Sequence, residues 1–193
     1  PDWSHYNTQI NGSSSSIAMG NDFIGTDQCP TCWQMLTFLN FKIPSLPSGA
    51  NIYDTDMTLR YHRIGLDTGT LAALNSHNAT LYSTSSFSES NLTHVNKPAI
   101  NTSNNFGTKT VSTSGVSVQS GYVKINKRVT WGGGNSAFTN YVRSSASSGN
   151  VWLALMGSYV DRVQSWIVLY ARSSEYSVAG ERPRFRVYFS LPQ

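Results

Sequence analysis

Charge is what this sequence most lacks. Lys, Arg, Asp and Glu make up 12% of its 193 residues, about half the usual share near 25%. Ser, Thr, Asn and Gly stand in their place, a composition common among secreted β proteins. Apolar length is also short. No run approaches the roughly 20 residues of a membrane-crossing helix, and the longest candidate, Val151 to Val160, is broken by Gly157 and Ser158. Cysteine is limited to Cys29 and Cys32, and histidine to His5, His62, His77 and His94. No second Cys-x-x-Cys and no closely spaced His pair is present, so the four ligands of a zinc site cannot be assembled from local motifs. The nucleophile elbow, the phosphate-binding glycine loop and the dinucleotide fingerprint are all missing. Three Glu and seven Asp, mostly in turn-like contexts, argue against the paired carboxylates of glycoside hydrolysis. From these absences neither catalysis nor a metal or cofactor is expected.

What is present is strand signal. Phe185, Val187, Phe189 and Leu191 alternate with Arg184, Arg186, Tyr188 and Ser190, the pattern of a strand with one buried and one wet face. Alternation also marks Met35 to Ile43 and Met57 to Ile64, and Val151 to Leu155 is a further strand candidate. Ser165 to Ala171 is apolar on both faces, which predicts a central strand between two layers. Turn-forming clusters separate the runs: Pro44 to Gly49, Gly132 to Asn135 and Ser144 to Asn150. Helical periodicity is scarce, with a turn or two predicted over Thr68 to Leu74 and at Ser144 to Ser147. Many short strands with regular turns predict an all-β fold, an antiparallel sandwich or jelly roll.

Residues 1–16 differ from the rest. They are polar, end in a Gly-Ser run, and hold only Trp3, Tyr6 and Ile10 as large apolar groups. Tyr6, Thr8 and Ile10 would share one face of an extended strand. The reading is an N-terminal arm over 1–16, fit to complete a sheet edge in its own subunit or a neighbour, followed by a sandwich domain over 17–193. The chain opens at Pro1 rather than Met, from which removal of an upstream leader is expected.

Cys29-Pro-Thr-Cys32 fits a redox centre, half a zinc site or a short disulfide loop, and a structural disulfide in an oxidising compartment is expected. Four N-x-Ser/Thr sequons, at Asn11, Asn78, Asn91 and Asn101, are candidate glycosylation acceptors. Asp54 and Asp56 form an Asp-x-Asp that offers Ca²⁺ ligands, although a solvated start to the strand is preferred. Arg182, Arg184 and Arg186 make a basic stripe with Tyr188 in line, a face fit for an acidic polysaccharide or another subunit. The net charge of +4 is uneven. Residues 1–120 carry five Lys/Arg against seven Asp/Glu, and residues 121–193 nine against three. Two unlike ends favour head-to-tail association. Lys and Arg are too sparse for a nucleic-acid footprint.

Several segments together resemble the DNRLRE-type domain, a secreted β-sandwich family that includes carbohydrate-binding modules. They are Phe38 to Ala50 with its two Ile/Leu-Pro steps, the strand Asp56 to Tyr61, and Phe87 to Pro98 around Glu89, Thr93, Asn96 and Pro98. Arg172 to Glu175 and Arg182 to Tyr188 close the series. They run in family order across roughly residues 35–190. Phe87 and His94 stand where the family carries Trp. The resemblance implies the sandwich more than any sugar site, since one fold hosts many functions.

The expected function is a non-catalytic extracellular structural protein. It would be a subunit of a surface fibre or filament, assembled head-to-tail into a homopolymer through strand complementation by the arm. The alternative is a secreted carbohydrate-binding or adhesive module with a polysaccharide partner. Neither nucleic acid nor membrane insertion is expected.

Overall fold

The computed structural model describes residues 16–21, 34–66, 76–88, 92, 96–112, 121–157, 167–172 and 177–192. Nine strands, one α-helix of nearly three turns and two single 3₁₀ turns, Ala146–Ser148 and Ala179–Glu181, make up the regular structure there. In chain order they are β1 (Ser16–Asn21), β2 (Gln34–Lys42), β3 (Asn51–Leu66), β4 (Ser76–Thr84), β5 (Ile100–Ser112) and β6 (Gly121–Gly132). The helix α1 (Ser136–Ser145) follows, then β7 (Asn150–Gly157), β8 (Ile167–Arg172) and β9 (Arg184–Ser190). All pairings are antiparallel, in the order β5-β4-β7-β2-β1-β8-β3-β6, with β9 added on β3. The fold is an all-β sandwich. One layer is β5-β4-β7-β2, the other is built on β3 with β6, β8 and β9, and β1 joins them by pairing with both β2 and β8.

Alternation in the sequence positions the core. Along β3, Met57, Leu59 and Tyr61 are fully buried while Thr58, Arg60 and His62 are not. Opposite them, Leu39 of β2, Leu81 of β4 and Leu153 and Leu155 of β7 point inward from the other layer. Period-2 burial from both sheets is what closes a sandwich. The helix α1 packs an aromatic group into the same core. Phe138 lies 5.0 Å from Phe106 and 6.3 Å from Phe185 by ring centroids, and Tyr141 stacks on Phe106 at 5.1 Å.

The start of α1 follows from its sequence. Gly132, Gly133 and Gly134 all have positive φ, at 89°, 64° and 89°, which glycine adopts without a Cβ penalty. The turn they make folds back on β3: Gly133 N–H donates to the Thr55 carbonyl at 2.9 Å, and Gly134 N–H to Asp54 Oδ1 at 2.9 Å. Asn135 then caps the helix, its Oδ1 accepting from Phe138 N–H at 3.0 Å. Its Nδ2 donates to the Phe106 carbonyl at 2.9 Å and ties the cap to β5.

The strand β3 is the axis of its layer. Along one edge it pairs with β6 from Asp56 to Leu66. Its other edge is divided: β8 takes Tyr61 to Leu66 and β9 takes Asn51 to Thr58. The strands β8 and β9 therefore share one edge of the same strand, at successive stretches of it. As predicted, β8 is central in its sheet, paired with β1 on one side and β3 on the other; the expected cover on both faces falls on side chains outside those described. The strand β9 departs from its predicted pattern. Phe185 and Val187 are half-buried, but Phe189 and Leu191 are exposed. The burial of this face ends at Val187 on β9 itself, although Ile52, the β3 partner of Phe189, is buried.

Candidate functional site

Two features of the β9 side offer binding chemistry. The first is an arginine-lined cleft of about 120 Å³. The strand β3 supplies Thr58 and Arg60 to it, and β6 supplies Arg128 and Thr130. From β9 come Arg184 and Arg186, and from the segment before it Gly180 and Arg182. The register explains the grouping. Thr58 pairs with Thr130 on one side and Arg184 on the other, and Arg60 faces Arg128 directly. Side chains two apart on a strand share a face, so the alternation that buries Met57 and Leu59 gathers the cations outside. On this face Thr58 Oγ1 and Thr130 Oγ1 share a hydrogen bond of 2.8 Å.

Two carboxylates border the cleft. Glu181 meets Arg60 at 3.5 Å and Arg172 at 3.3 Å. Asp56 receives Arg186 Nε at 3.0 Å and Nη2 at 2.7 Å, and Tyr188 O–H at 3.0 Å. The Asp56 hydrogen bond first, and its charge second, raise the Arg186 guanidinium above its ordinary value. Nearby, burial first and then the Arg172 and Arg63 charges, opposed by Glu181, push the His62 imidazole down to about 4.

The second feature is the outer edge of β9. Among the described residues β9 pairs only with β3. Beside it lie exposed apolar groups: Tyr53 at 59%, Leu191 at 60% and Phe189 at 38% of full exposure. The Tyr53 and Tyr188 rings lie 6.3 Å apart. The other strands at the ends of the pairing order, β5 and β6, approach one another and carry α1 against them, so β9 presents the more open edge.

The structure places the predicted site residues as follows. Arg182, Arg184 and Arg186 are exposed and line the cleft, whereas Tyr188 is half-buried and turned to Asp56. The expected solvated Asp-x-Asp is corrected. Asp56 is only 4% exposed and bridged by Arg186 and Tyr188, while Asp54 Oδ1 accepts from the N–H groups of Thr55 and Gly134. These carboxylates organise the fold's own cations and backbone. Asn78 on β4 and Asn101 on β5 are both exposed. His77 is buried on β4. The arm residues Trp3, Tyr6, Thr8 and Ile10, the pair Cys29 and Cys32, and the sequons at Asn11 and Asn91 lie outside the described residues, as do His5, His94 and the turn predicted at Thr68 to Leu74. Sequence reading missed Arg60 and Arg128. Arg60 stood on an alternating stretch with an outward parity, no strand was read around Arg128, and the register that makes the two face each other is not visible in sequence.

The Phe87 loop is structural. Its base is closed by Ser85 N–H to the Ala99 carbonyl at 3.0 Å. Phe87 packs edge-on between Phe38 and Trp152, at 5.7 and 5.0 Å, and so covers the outer side of β2 and β7. No protein-family model matches the chain, and no curated protein matches it. The resemblance to the DNRLRE-type domain therefore stands on its motif residues alone.

Proposed function

We propose that this protein is a non-catalytic structural subunit of an extracellular fibre, in which the arm of one copy adds a strand to β9 of the next. The observation that carries the reading is the outer edge of β9, which has no partner strand among the described residues, with Tyr53, Phe189 and Leu191 exposed beside it. An unpaired strand edge is a template for another extended segment, whose backbone supplies affinity and whose alternate side chains fill apolar positions. Polarity supports it too. The strand β1 begins at Ser16 beside Arg172, the end of β8 that points toward β9. A segment with the direction of β1 is antiparallel to β9, as are the other neighbouring strands of this sheet to one another. Tyr6, Thr8 and Ile10 of the arm alternate as such a segment needs. Donation of the arm from each copy to the next is a heterologous contact, which gives a filament when its rotation does not close.

Electron microscopy of the intact protein beside a variant beginning at Ser16 tests the reading. Filaments from the intact chain, absent from the variant and shortened by an added peptide of residues 1–15, are expected. Monodisperse particles from both proteins overturn it, as does an arm that pairs only with β9 of its own copy.

A further inference from the structure

We propose that the arginine-lined cleft between β3, β6 and β9 is a binding site for one tetrahedral oxoanion, sulfate or phosphate. The site is separate from the edge of β9 that the fibre reading uses, and either proposal can fail without the other.

The first argument is electrostatic. Arg60 and Arg128 are paired directly across two strands, and like charges in that position destabilise a sheet. Arg182, Arg184 and Arg186 enter the same small space. The neighbouring carboxylates do not offset all of this. Asp56 is held by Arg186 and Tyr188, and Glu181 is divided between Arg60 and Arg172. Among the described residues no carboxylate pairs with Arg128 or Arg184. A chain with so few charges has placed five arginines around one hollow, at a cost in stability that a bound anion would remove.

The second argument is shape. A cavity of about 120 Å³ is below the roughly 300 Å³ and more that enclose a drug-sized molecule. It suits a single charged group. The guanidiniums stand side by side on one face of three adjacent strands, with Arg182 added from the segment before β9, so several forks can reach one group held above that face. A planar carboxylate matches one Arg fork edge to edge, whereas a tetrahedral anion presents oxygens in every direction and takes several forks at once. Of the Thr58 and Thr130 hydroxyls, bonded to each other across the same face, the one that accepts in that bond keeps its O–H to donate, which adds one neutral donor.

Sulfate and phosphate reach such a site free in solution or as a monoester on a larger molecule, and titration separates the two. Isothermal titration with inorganic sulfate, inorganic phosphate and glucose 6-sulfate is run on the full chain, on Arg128→Gln and Arg184→Gln, and on Lys109→Gln as a control on β5, away from the cleft. Saturable binding that weakens as sodium chloride is raised, and that falls about tenfold in each arginine variant but not in Lys109→Gln, is expected. Glucose 6-sulfate binding more tightly than sulfate assigns the site to an ester; equal or weaker binding assigns it to the free ion. A thermal melt guards against misfolded variants. Sulfate should raise the wild-type midpoint above that in sodium chloride of equal ionic strength by more than it raises either arginine variant, because a ligand stabilises only the state that binds it. No saturable binding of any probe, or equal responses from wild type and arginine variants, overturns the proposal.

Discussion

Arg186 grips Asp56 with two nitrogens, Nε on Oδ1 at 3.0 Å and Nη2 on Oδ2 at 2.7 Å, across 130 residues of sequence. The pair fixes β9 against β3 at the point where the cleft meets the core. Asp56 itself is buried, and Tyr188 O–H completes its partners. Asp56→Asn keeps the shape but removes the charge and presents an amide to one of these donors. A loss of about 1–3 kcal/mol is expected, from the weakened charge-assisted bonds, read as a lower urea midpoint with unchanged slope. Tyr188→Phe, which leaves the Arg186 fork in place, should lose less. Equal stability of Asp56→Asn and wild type would show that the pair contributes nothing to the fold.

Gly132 and Gly133 make a matched comparison. Both have positive φ, but a Cβ on Gly132 would collide with the Thr55 carbonyl oxygen and lie 3.0 Å from Phe138, whereas one on Gly133 meets nothing within 4 Å. Gly133→Ala should therefore lose only the cost of its backbone region, about 1–2 kcal/mol. Gly132→Ala adds a backbone clash to a similar strain of about 1–3 kcal/mol, and should be the more damaging by a wide margin in thermal melts.

Asn135 bonds in two directions, to Phe138 N–H within the helix and to the Phe106 carbonyl on β5. Asn135→Ala should lose about 1–3 kcal/mol, the cap together with an orphaned carbonyl. Asn135→Asp restores the cap acceptor but not the donor, so its denaturant midpoint should fall between alanine and wild type.

His77 predicts the pH response. Burial pushes its imidazole from the ordinary 6.5 down to about 4. Between those values the unfolded chain takes up a proton that the folded chain refuses, so the unfolded state gains. Stability should be full above about pH 6.5, fall by up to about 3 kcal/mol as pH drops toward 4, and level off below. His62, lowered to a similar value but half-exposed, adds a smaller effect of the same sign, discounted for solvent screening. His77→Gln should flatten the slope whatever its own effect on stability. A slope unchanged in that variant would assign the pH response to other groups.

Strands with a clean two-residue alternation were legible in the sequence. Met57 to Tyr61 carries enough apolar contrast between faces that burial follows from parity, whereas Leu153, Ala154 and Leu155 are all buried and show only that a strand is there. The strand β5 was not legible, because Ile100 to Ser112 buries only Phe106 and Val111 among thirteen residues. Its pairing with β4 is held by backbone bonds and by hydroxyl contacts such as Thr80 to Thr108. The helix α1 was hidden for a related reason. Ser136 to Ser145 is poor in strong helix formers, and Asn135 together with Phe138 and Val142 one turn apart was its whole signal. For the cleft, the Arg stripe of β9 could be read from parity. Its partners Arg60 and Arg128 could not, since they meet only through the pairing of β3 with β6, a contact between residues far apart in the chain.

The strand β1 joins the two layers, and this has a mechanical consequence. Six residues of β1 pair with β8, and its last two pair also with β2. A pull on Ser16 along the axis of β1 strains these bonds side by side, in shear, and they must yield together rather than open one after another. Tension entering at that end is handed to both layers at once. A force directed across β1 instead would peel it, bond by bond, so the fold is stiff along one axis and yielding across it.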